Sequence, residues 1–114
     1  MTPHDAPSAA QLVESVREWL QRDVLASTEG RLQYHARVAI NALSIVEREL
    51  AVGADQQAAH AERLRVLGVA DDAELAAAIR SGALDDRLDE VRDLVWQSVR
   101  DKLAVANPKY LSSP

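Results

Sequence analysis

The sequence predicts an all-α fold, and three observations support this prediction. The 114-residue chain is 47% hydrophobic, lacks Phe and has only two Tyr, so Ala, Leu and Val supply most of its apolar side chains. This composition favours helix over strand. No stretch alternates apolar and polar residues, whereas apolar residues recur at spacings of three and four. We expect a single-domain bundle of about five helices, three long and two short, over residues 8–111, preceded by a disordered tail over 1–7.

The first predicted helix begins after Ser8 and ends at about Ala26. Ser8 is a typical N-cap, and Gln11 three residues later completes a capping box. One side of this helix is apolar and consists of Leu12, Val13, Val16, Trp19, Leu20 and Val24. The segment 27–30 is then a short connection.

The second predicted helix covers about 29–52 and is the most apolar part of the chain. One stripe is formed by Leu32, Ala36, Ala39, Leu43, Val46 and Leu50, and a second stripe beside it by Tyr34, Val38, Ala42 and Ile45. The two stripes cover roughly half of the circumference, which is wider than a surface helix needs. We therefore expect this helix to be central, and we expect Gly53 to end it as the residue after the C-cap.

Two shorter helices are predicted next. The third covers about 55–67 with a thin apolar stripe, and Gly68 ends it. The fourth covers about 72–80, with Asp71 as its N-cap and Glu74 three residues later.

The fifth predicted helix begins at residue 85 or 86 and ends at about 105. Asn107 and Pro108 terminate it, because a residue before proline avoids the α region. Tyr110 and Leu111 follow, and we expect them to fold back onto the bundle rather than to bind a neighbouring molecule.

The composition excludes several classes of function. Without Cys, the chain has no disulfide, thiolate metal site or cysteine nucleophile. A formal net charge of −5 with no basic cluster argues against nucleic-acid binding. No apolar run approaches the roughly 20 residues that span a membrane, and no secretory signal is visible, so we expect a cytoplasmic protein. No phosphate-binding loop, zinc or di-iron motif is present, so no cofactor or metal is expected.

Six polar or aromatic residues near the first connection are the candidate ligand-binding residues. Asp23 and His35 project into apolar arcs on either side of this connection, at similar distances from it, and we expect them to meet. His35 would be a general base or ligand anchor oriented by Asp23, or the pair would be a structural network at the helix turn, which is the more common case. A helix N-terminus also attracts anions. The full set is Asp23, Arg31, Tyr34, His35, Arg37 and Asn41.

Three stretches of the chain resemble a known family: AQLVESVREWL over 10–20, GRLQYHARVAINAL continuing to 50, and KLAVANPKY over 102–110. This is a family of small uncharacterised bacterial helical proteins with a domain of unknown function. Its members are often encoded beside aminoglycoside-phosphotransferase-like kinases and acyl-CoA dehydrogenases. The resemblance implies an accessory role near such an enzyme and assigns no catalytic residue.

The leading hypothesis is a non-enzymatic accessory protein that self-associates and binds a phosphotransferase-like enzyme in acyl-CoA-related catabolism. The wide apolar arc of the second helix motivates it, because a chain of this length has little surface with which to cover that arc. The alternative is a small-molecule or anion-binding protein, or a minor enzyme, that uses the residues around His35. A DNA-binding helix-turn-helix over 55–82 is a weaker third possibility, since that segment is acidic.

Overall fold

The computed structural model describes residues 6–112, so most of the predicted tail over 1–7 lies outside the described residues. Five α-helices follow one another in the order α1 (Ala9–Trp19), α2 (Gly30–Val66), α3 (Asp72–Ser81), α4 (Leu88–Ala106) and α5 (Pro108–Ser112). A π-helical segment (Leu20–Val24) extends α1, and a 3₁₀ turn (Asp85–Arg87) precedes α4. No strand occurs within 6–112, which confirms the all-α prediction.

The described helices group into two compact units. The N-terminal unit reaches to Gly53 and the C-terminal unit begins at Ala54.

The start of α1 follows the predicted capping box. Ser8 Oγ accepts a hydrogen bond from the backbone N–H of Gln11 at 3.1 Å, and Gln11 Oε1 accepts one from the N–H of Ser8 at 2.8 Å. Beyond Trp19 the helix widens, because the N–H of Leu25 donates to the carbonyl of Leu20, five residues earlier, at 2.8 Å. A π turn contains more residues than an α turn. The rotation of about 100° per residue therefore does not continue through this segment.

Helix α2 corrects the predicted break at Gly53. The second and third predicted helices are one continuous helix over Gly30–Val66. Glycine ends a helix when it takes a positive φ, as Gly68 and Gly82 do at 77° and 83°. Gly53 instead has helical backbone, at a cost of about 1 kcal/mol relative to alanine. Good helix formers surround it, and no proline follows it in the next turn.

The N-terminal unit is an antiparallel pair formed by α1 and the first part of α2. Near the turn, Gln33 Nε2 donates to the carbonyls of Leu25 and Thr28, at 3.2 and 2.9 Å. Farther from the turn, Arg17 Nε donates to both carboxylate oxygens of Glu47 at 2.9 Å. Among the described residues of this unit, the buried apolar side chains are Ala36 and Ile40.

The C-terminal unit has a larger apolar core than the N-terminal unit. Its buried residues come from the end of α2, from α3 and α4 and from the connection between them: Leu64, Leu67, Leu75, Leu84 and Val91. Asp71 caps α3 as predicted, since its carboxylate accepts a hydrogen bond from the N–H of Glu74 at 2.8 Å. Arg87 donates to the carbonyl of Val66, the last residue of α2, at 3.0 Å.

The end of the chain differs in part from the prediction. Helix α4 ends at Ala106 with Asn107 as its C-cap, as expected. Pro108 then begins the short helix α5, because proline fits the first position of a helix, where no N–H donor is needed. Tyr110 is 63% exposed, so its ring is not the predicted lid, while Leu111 is half-buried.

Candidate functional site

The structure does not join Asp23 to His35. Both side chains are exposed, and no hydrogen bond or ion pair within residues 6–112 connects them. Asp23 lies in the π-helical segment, and the apolar arc into which it projects is itself exposed at Leu12, Val16 and Trp19. The ring of His35 instead has an edge contact with its neighbour Tyr34, at a centroid distance of 5.5 Å.

The remaining candidate residues lie exposed along the first three turns of α2. These are Arg31, Tyr34, Arg37 and Asn41. The two clefts described in the structure are lined elsewhere: about 540 Å³ beside Pro7 and Glu14 at the start of α1, and about 470 Å³ beside residues 85–90. A ligand-binding role for the six candidates therefore stays a prediction without a described cleft to support it.

The N-terminal unit exposes a set of large apolar side chains that we call the hairpin face. On α1, Leu12, Val16 and Trp19 are 54%, 49% and 56% exposed. On α2 the corresponding residues are Leu32, Val46 and Leu50, which are 68%, 39% and 48% exposed. The α1 residues follow the three- and four-residue spacing of one helix side, and on α2 Leu32 lies about four turns before Val46 on the same side.

Helix geometry places both halves of the hairpin face on the same side of the pair. On each helix, the exposed stripe is rotated about the helix axis by roughly 90–110° from the side that packs on the other helix, at about 100° per residue. Viewed from the N- to the C-terminus of each helix, the rotation has the same sense in both. Because the two helices run antiparallel, rotations in the same sense bring both stripes to one side. Ala39 and Leu43 project between the α2 members, so the face carries no charge on α2.

A second exposed stripe lies on the outer side of α2. It belongs neither to the side of α2 that packs on α1 nor to the hairpin face. It consists of Tyr34, Val38 and Val52, which are 65%, 46% and 39% exposed. This stripe is narrower than the hairpin face and includes no residue of α1.

The C-terminal unit contains a chain of short hydrogen bonds between three helices that we call the His60 network. His60, on α2, has Nδ1 2.7 Å from Ser98 Oγ on α4 and Nε2 2.7 Å from Asp72 Oδ1 at the start of α3. The side chain of His60 is 37% exposed and that of Asp72 is 79% exposed. Ser98 is half-buried.

Arg63 completes this network one turn beyond His60. Its Nη1 donates to Ser98 Oγ at 2.8 Å and also lies 3.0 Å from Asp101 Oδ2. The side chain of Arg63 is only 16% exposed, so the ion pair is shielded from water and salt. Gln56 Nε2 donates to the backbone carbonyl of Asp101 at 2.8 Å, which ties the same two helices together again.

Sequence reasoning missed the His60 network, although a signal for it exists. Polar residues occur at core-facing spacings on both long helices, at Gln56, His60 and Arg63 on one and at Ser98 and Asp101 on the other. Each lies on the same helix side as apolar core residues. No contiguous catalytic motif contains such a set, because residues of the network that lie on different helices are 12 or more positions apart in the sequence.

Arg65 and Glu62 form an ion pair at the surface of the C-terminal unit. Arg65 donates two hydrogen bonds to Glu62, at 2.5 and 2.8 Å, and thereby lowers the pKa of the Glu62 carboxyl. The same hydrogen bonds raise the pKa of Arg65. Both groups are exposed, so this pair marks no functional site.

Comparison with protein families assigns the chain to a family. The profile of a domain of unknown function, DUF6285, matches residues 26–110. The chain belongs to the DUF6285 family. The match begins after the π-helical segment, ends within α5 and includes all of the His60 network, whereas Leu12, Val16 and Trp19 of the hairpin face precede it. No curated protein and no solved structure matches the chain.

Among residues 6–112, no group of three or more His, Asp or Glu side chains is arranged to hold a metal ion. No helix in the same range has the length and apolar character that a bilayer crossing needs.

Proposed function

We propose that this DUF6285 protein is an accessory interaction protein that binds a second copy of itself through the hairpin face. The observation that carries the proposal is the presence of six large, half-exposed apolar side chains on one side of a two-helix unit. Contiguous apolar patches of this kind mark interaction sites on soluble proteins.

The size of the hairpin face fits a second copy. A fully exposed Val, Leu or Trp presents about 150–250 Å², so the six exposed fractions correspond to an area on the order of 600 Å². A two-fold contact between two such faces buries on the order of 1,200 Å², the lower end of the range for stable protein interfaces. A face that lacks charge on α2 is also self-complementary, because it opposes no like charges across a two-fold axis.

The pairing would create the apolar core that this unit lacks. Among the described residues of the N-terminal unit, the buried apolar side chains are Ala36 and Ile40. Two antiparallel pairs that meet through their hairpin faces form a four-helix arrangement with Trp19 at its centre. This arrangement explains why a two-helix unit carries so many large apolar residues on its outer surface.

The enzyme partner implied by the family resemblance belongs to the same proposal. A phosphotransferase-like enzyme of acyl-CoA-related catabolism in the bacterial cytoplasm would bind the self-associated protein. The outer stripe of Tyr34, Val38 and Val52 stays available when the hairpin face is covered. Binding around His35 is the less favoured function, because His35 is exposed and its ring contacts its neighbour Tyr34 rather than Asp23.

Sedimentation equilibrium tests the self-association. We expect the wild-type protein to be dimeric at micromolar concentration. Val16→Glu places a charge within the hairpin face and should give a monomer with unchanged helix content by circular dichroism. Val38→Glu introduces the same change on the outer stripe, at a residue of almost equal exposure, and should remain dimeric.

Two results would contradict the proposal. One is a wild-type protein that stays monomeric at high micromolar concentration. The other is a dimer that Val38→Glu disrupts and Val16→Glu does not, which would move the interface to the outer stripe.

A further inference from the structure

The His60 network has the composition and connectivity of a nucleophile with its base. Ser98 offers a hydroxyl, His60 a ring nitrogen 2.7 Å from it, and Asp72 a carboxylate 2.7 Å from the other ring nitrogen. An activated serine is recognised by this relation, in which the base contacts the nucleophile and is itself oriented by a third group. We infer that Ser98 is a nucleophilic serine, with His60 as its general base, and that it reacts with small acyl esters.

The hydrogen-bond directions are consistent with a hydroxyl aimed at His60. Arg63 has only donors, so its contact with Ser98 Oγ uses a lone pair of the oxygen. Asp72, when ionised, has only acceptors, so it accepts the proton on Nε2 of a neutral His60. Nδ1 is then free to accept the hydroxyl proton of Ser98, which is the arrangement that proton abstraction requires.

Arg63 supplies the positive charge at the reacting oxygen. Its Nη1 lies 2.8 Å from Ser98 Oγ, and its side chain is largely shielded from water. A guanidinium in this position stabilises the negative charge that develops on Oγ during attack. Asp101 holds Arg63 in place at 3.0 Å, and the guanidinium has further N–H groups for the carbonyl oxygen of the ester.

Exposure of the network sets the size of the substrate. Ser98 is half-buried and His60 is 37% exposed, so both reacting groups keep part of their surface open to solvent. A half-buried hydroxyl is reached more readily by a short acyl group than by a folded polypeptide. Asp72 contacts Nε2 of His60, the ring nitrogen that faces away from Ser98, so it acts as a positioning residue for His60.

The reaction balances with water as its second substrate. Ser98 Oγ attacks the ester carbonyl carbon, and the hydroxyl proton passes to His60 Nδ1. The bond between the carbonyl carbon and the alcohol oxygen then breaks, and the leaving alcohol takes the proton from His60. Water attacks the acyl-serine in the same way, its proton moves through His60 back to Ser98 Oγ, and the carboxylic acid is released.

A fluorophosphonate probe tests the nucleophile directly on the full-length chain. Attack by Ser98 forms a bond from Oγ to phosphorus and expels fluoride, so a covalent adduct accumulates. We expect one adduct per chain, located at Ser98 by peptide mass spectrometry, and none after heat denaturation. Ser98→Ala should lose the adduct, whereas Ser44→Ala, which removes a half-buried serine that bonds the carbonyl of Ile40, should keep it.

The roles of the two partners have separate readouts. His60→Gly should reduce the labelling rate at least tenfold, and added imidazole should restore much of it, which a merely structural histidine would not show. Asp72→Asn should slow labelling several-fold, while Asp72→Glu should recover most of the rate. Hydrolysis of p-nitrophenyl acetate should follow the same order with an initial burst of one nitrophenol per chain.

The inference fails if the natively folded chain is unlabelled, or if the adduct lies on a serine other than Ser98. It also fails if labelling at Ser98 is as fast in His60→Gly as in the wild type. In each of these cases the His60 network only joins α2, α3 and α4. The labelling does not depend on the hairpin face, so Val16→Glu should be labelled like the wild type whatever its oligomeric state.

Discussion

Replacement of Gly53 by alanine tests whether α2 is continuous at this position. In the structure Gly53 has helical backbone, and a Cβ atom added there would lie 3.3 Å from Cγ of Glu49. Glu49 is exposed and its side chain is flexible, so a shift of a few tenths of an ångström relieves this contact at little cost. We therefore expect the substitution to stabilise the protein.

The magnitude follows from helix propensity. Alanine is favoured over glycine by about 0.8–1.0 kcal/mol in a helix interior, because glycine loses more backbone entropy on folding. Adjustment of Glu49 subtracts a few tenths of a kcal/mol, which is of the order of a small rotamer displacement. The net increase in the free energy of unfolding is about 0.5–1 kcal/mol.

Gly68→Ala is the matched control. Gly68 has a φ of 77°, and no atom lies within 4 Å of an added Cβ, so its substitution changes only backbone strain. A residue with a Cβ pays about 1–2 kcal/mol in this left-handed conformation, so Gly68→Ala should destabilise by that amount. The two substitutions are thus expected to have opposite signs.

Urea denaturation followed by circular dichroism at 222 nm measures both effects. The protein concentration is held constant between variants, because self-association would shift the midpoint. The slope of the unfolding free energy with urea should be unchanged, and only the midpoint should move. If Gly53→Ala destabilises the protein as much as Gly68→Ala does, Gly53 has a positive φ and ends a helix, and the continuous α2 is refuted.

Three further predictions concern the two units. Leu84→Ala should lower the free energy of unfolding by about 2–4 kcal/mol in the same assay, because the side chain is 5% exposed in the core of the C-terminal unit; a loss below about 1 kcal/mol would mean that this core is loosely packed. A double-mutant cycle with Arg17→Met and Glu47→Gln should give a coupling energy of about 0.5–1 kcal/mol that decreases in high salt, since both side chains keep some exposure; no coupling would argue against the contact. Arg65 lowers the pKa of Glu62, so the stabilisation from this pair is present above the ordinary Glu pKa and is lost as the pH falls through the lowered value. A carbon-detected NMR titration should give a Glu62 midpoint below the ordinary Glu pKa. Arg65→Gln should return this midpoint to the ordinary value.

The local features of this chain were predictable from the sequence alone. Ser8 with Gln11 and Asp71 with Glu74 cap their helices as predicted, because an N-cap depends only on residues two or three positions away. Asn107 ends α4 for a similar reason, since the proline after it restricts its backbone. The all-α class follows from the summed helix propensity and the spacing of apolar residues.

The two wrong predictions, a helix end at Gly53 and a buried Asp23, have a common physical cause. Gly53 is compatible with both a helix interior and a helix end, and the difference is about 1 kcal/mol, which contacts elsewhere easily outweigh. Asp23 was placed in an apolar arc that was expected to be buried, but Leu12, Val16 and Trp19 of that arc are themselves about half exposed. In both cases the outcome is set by packing that a local pattern does not contain.

The sequence by itself determined the fold class, the helix caps and the excess of apolar surface in the first half of the chain. Only the tertiary structure decided which part of that surface stays exposed, because exposure depends on the side that each helix turns toward its neighbour. Only the tertiary structure brought His60, Asp72 and Ser98 within hydrogen-bond distance. The three helices that carry these side chains share an apolar core, and no short-range rule of sequence describes that core.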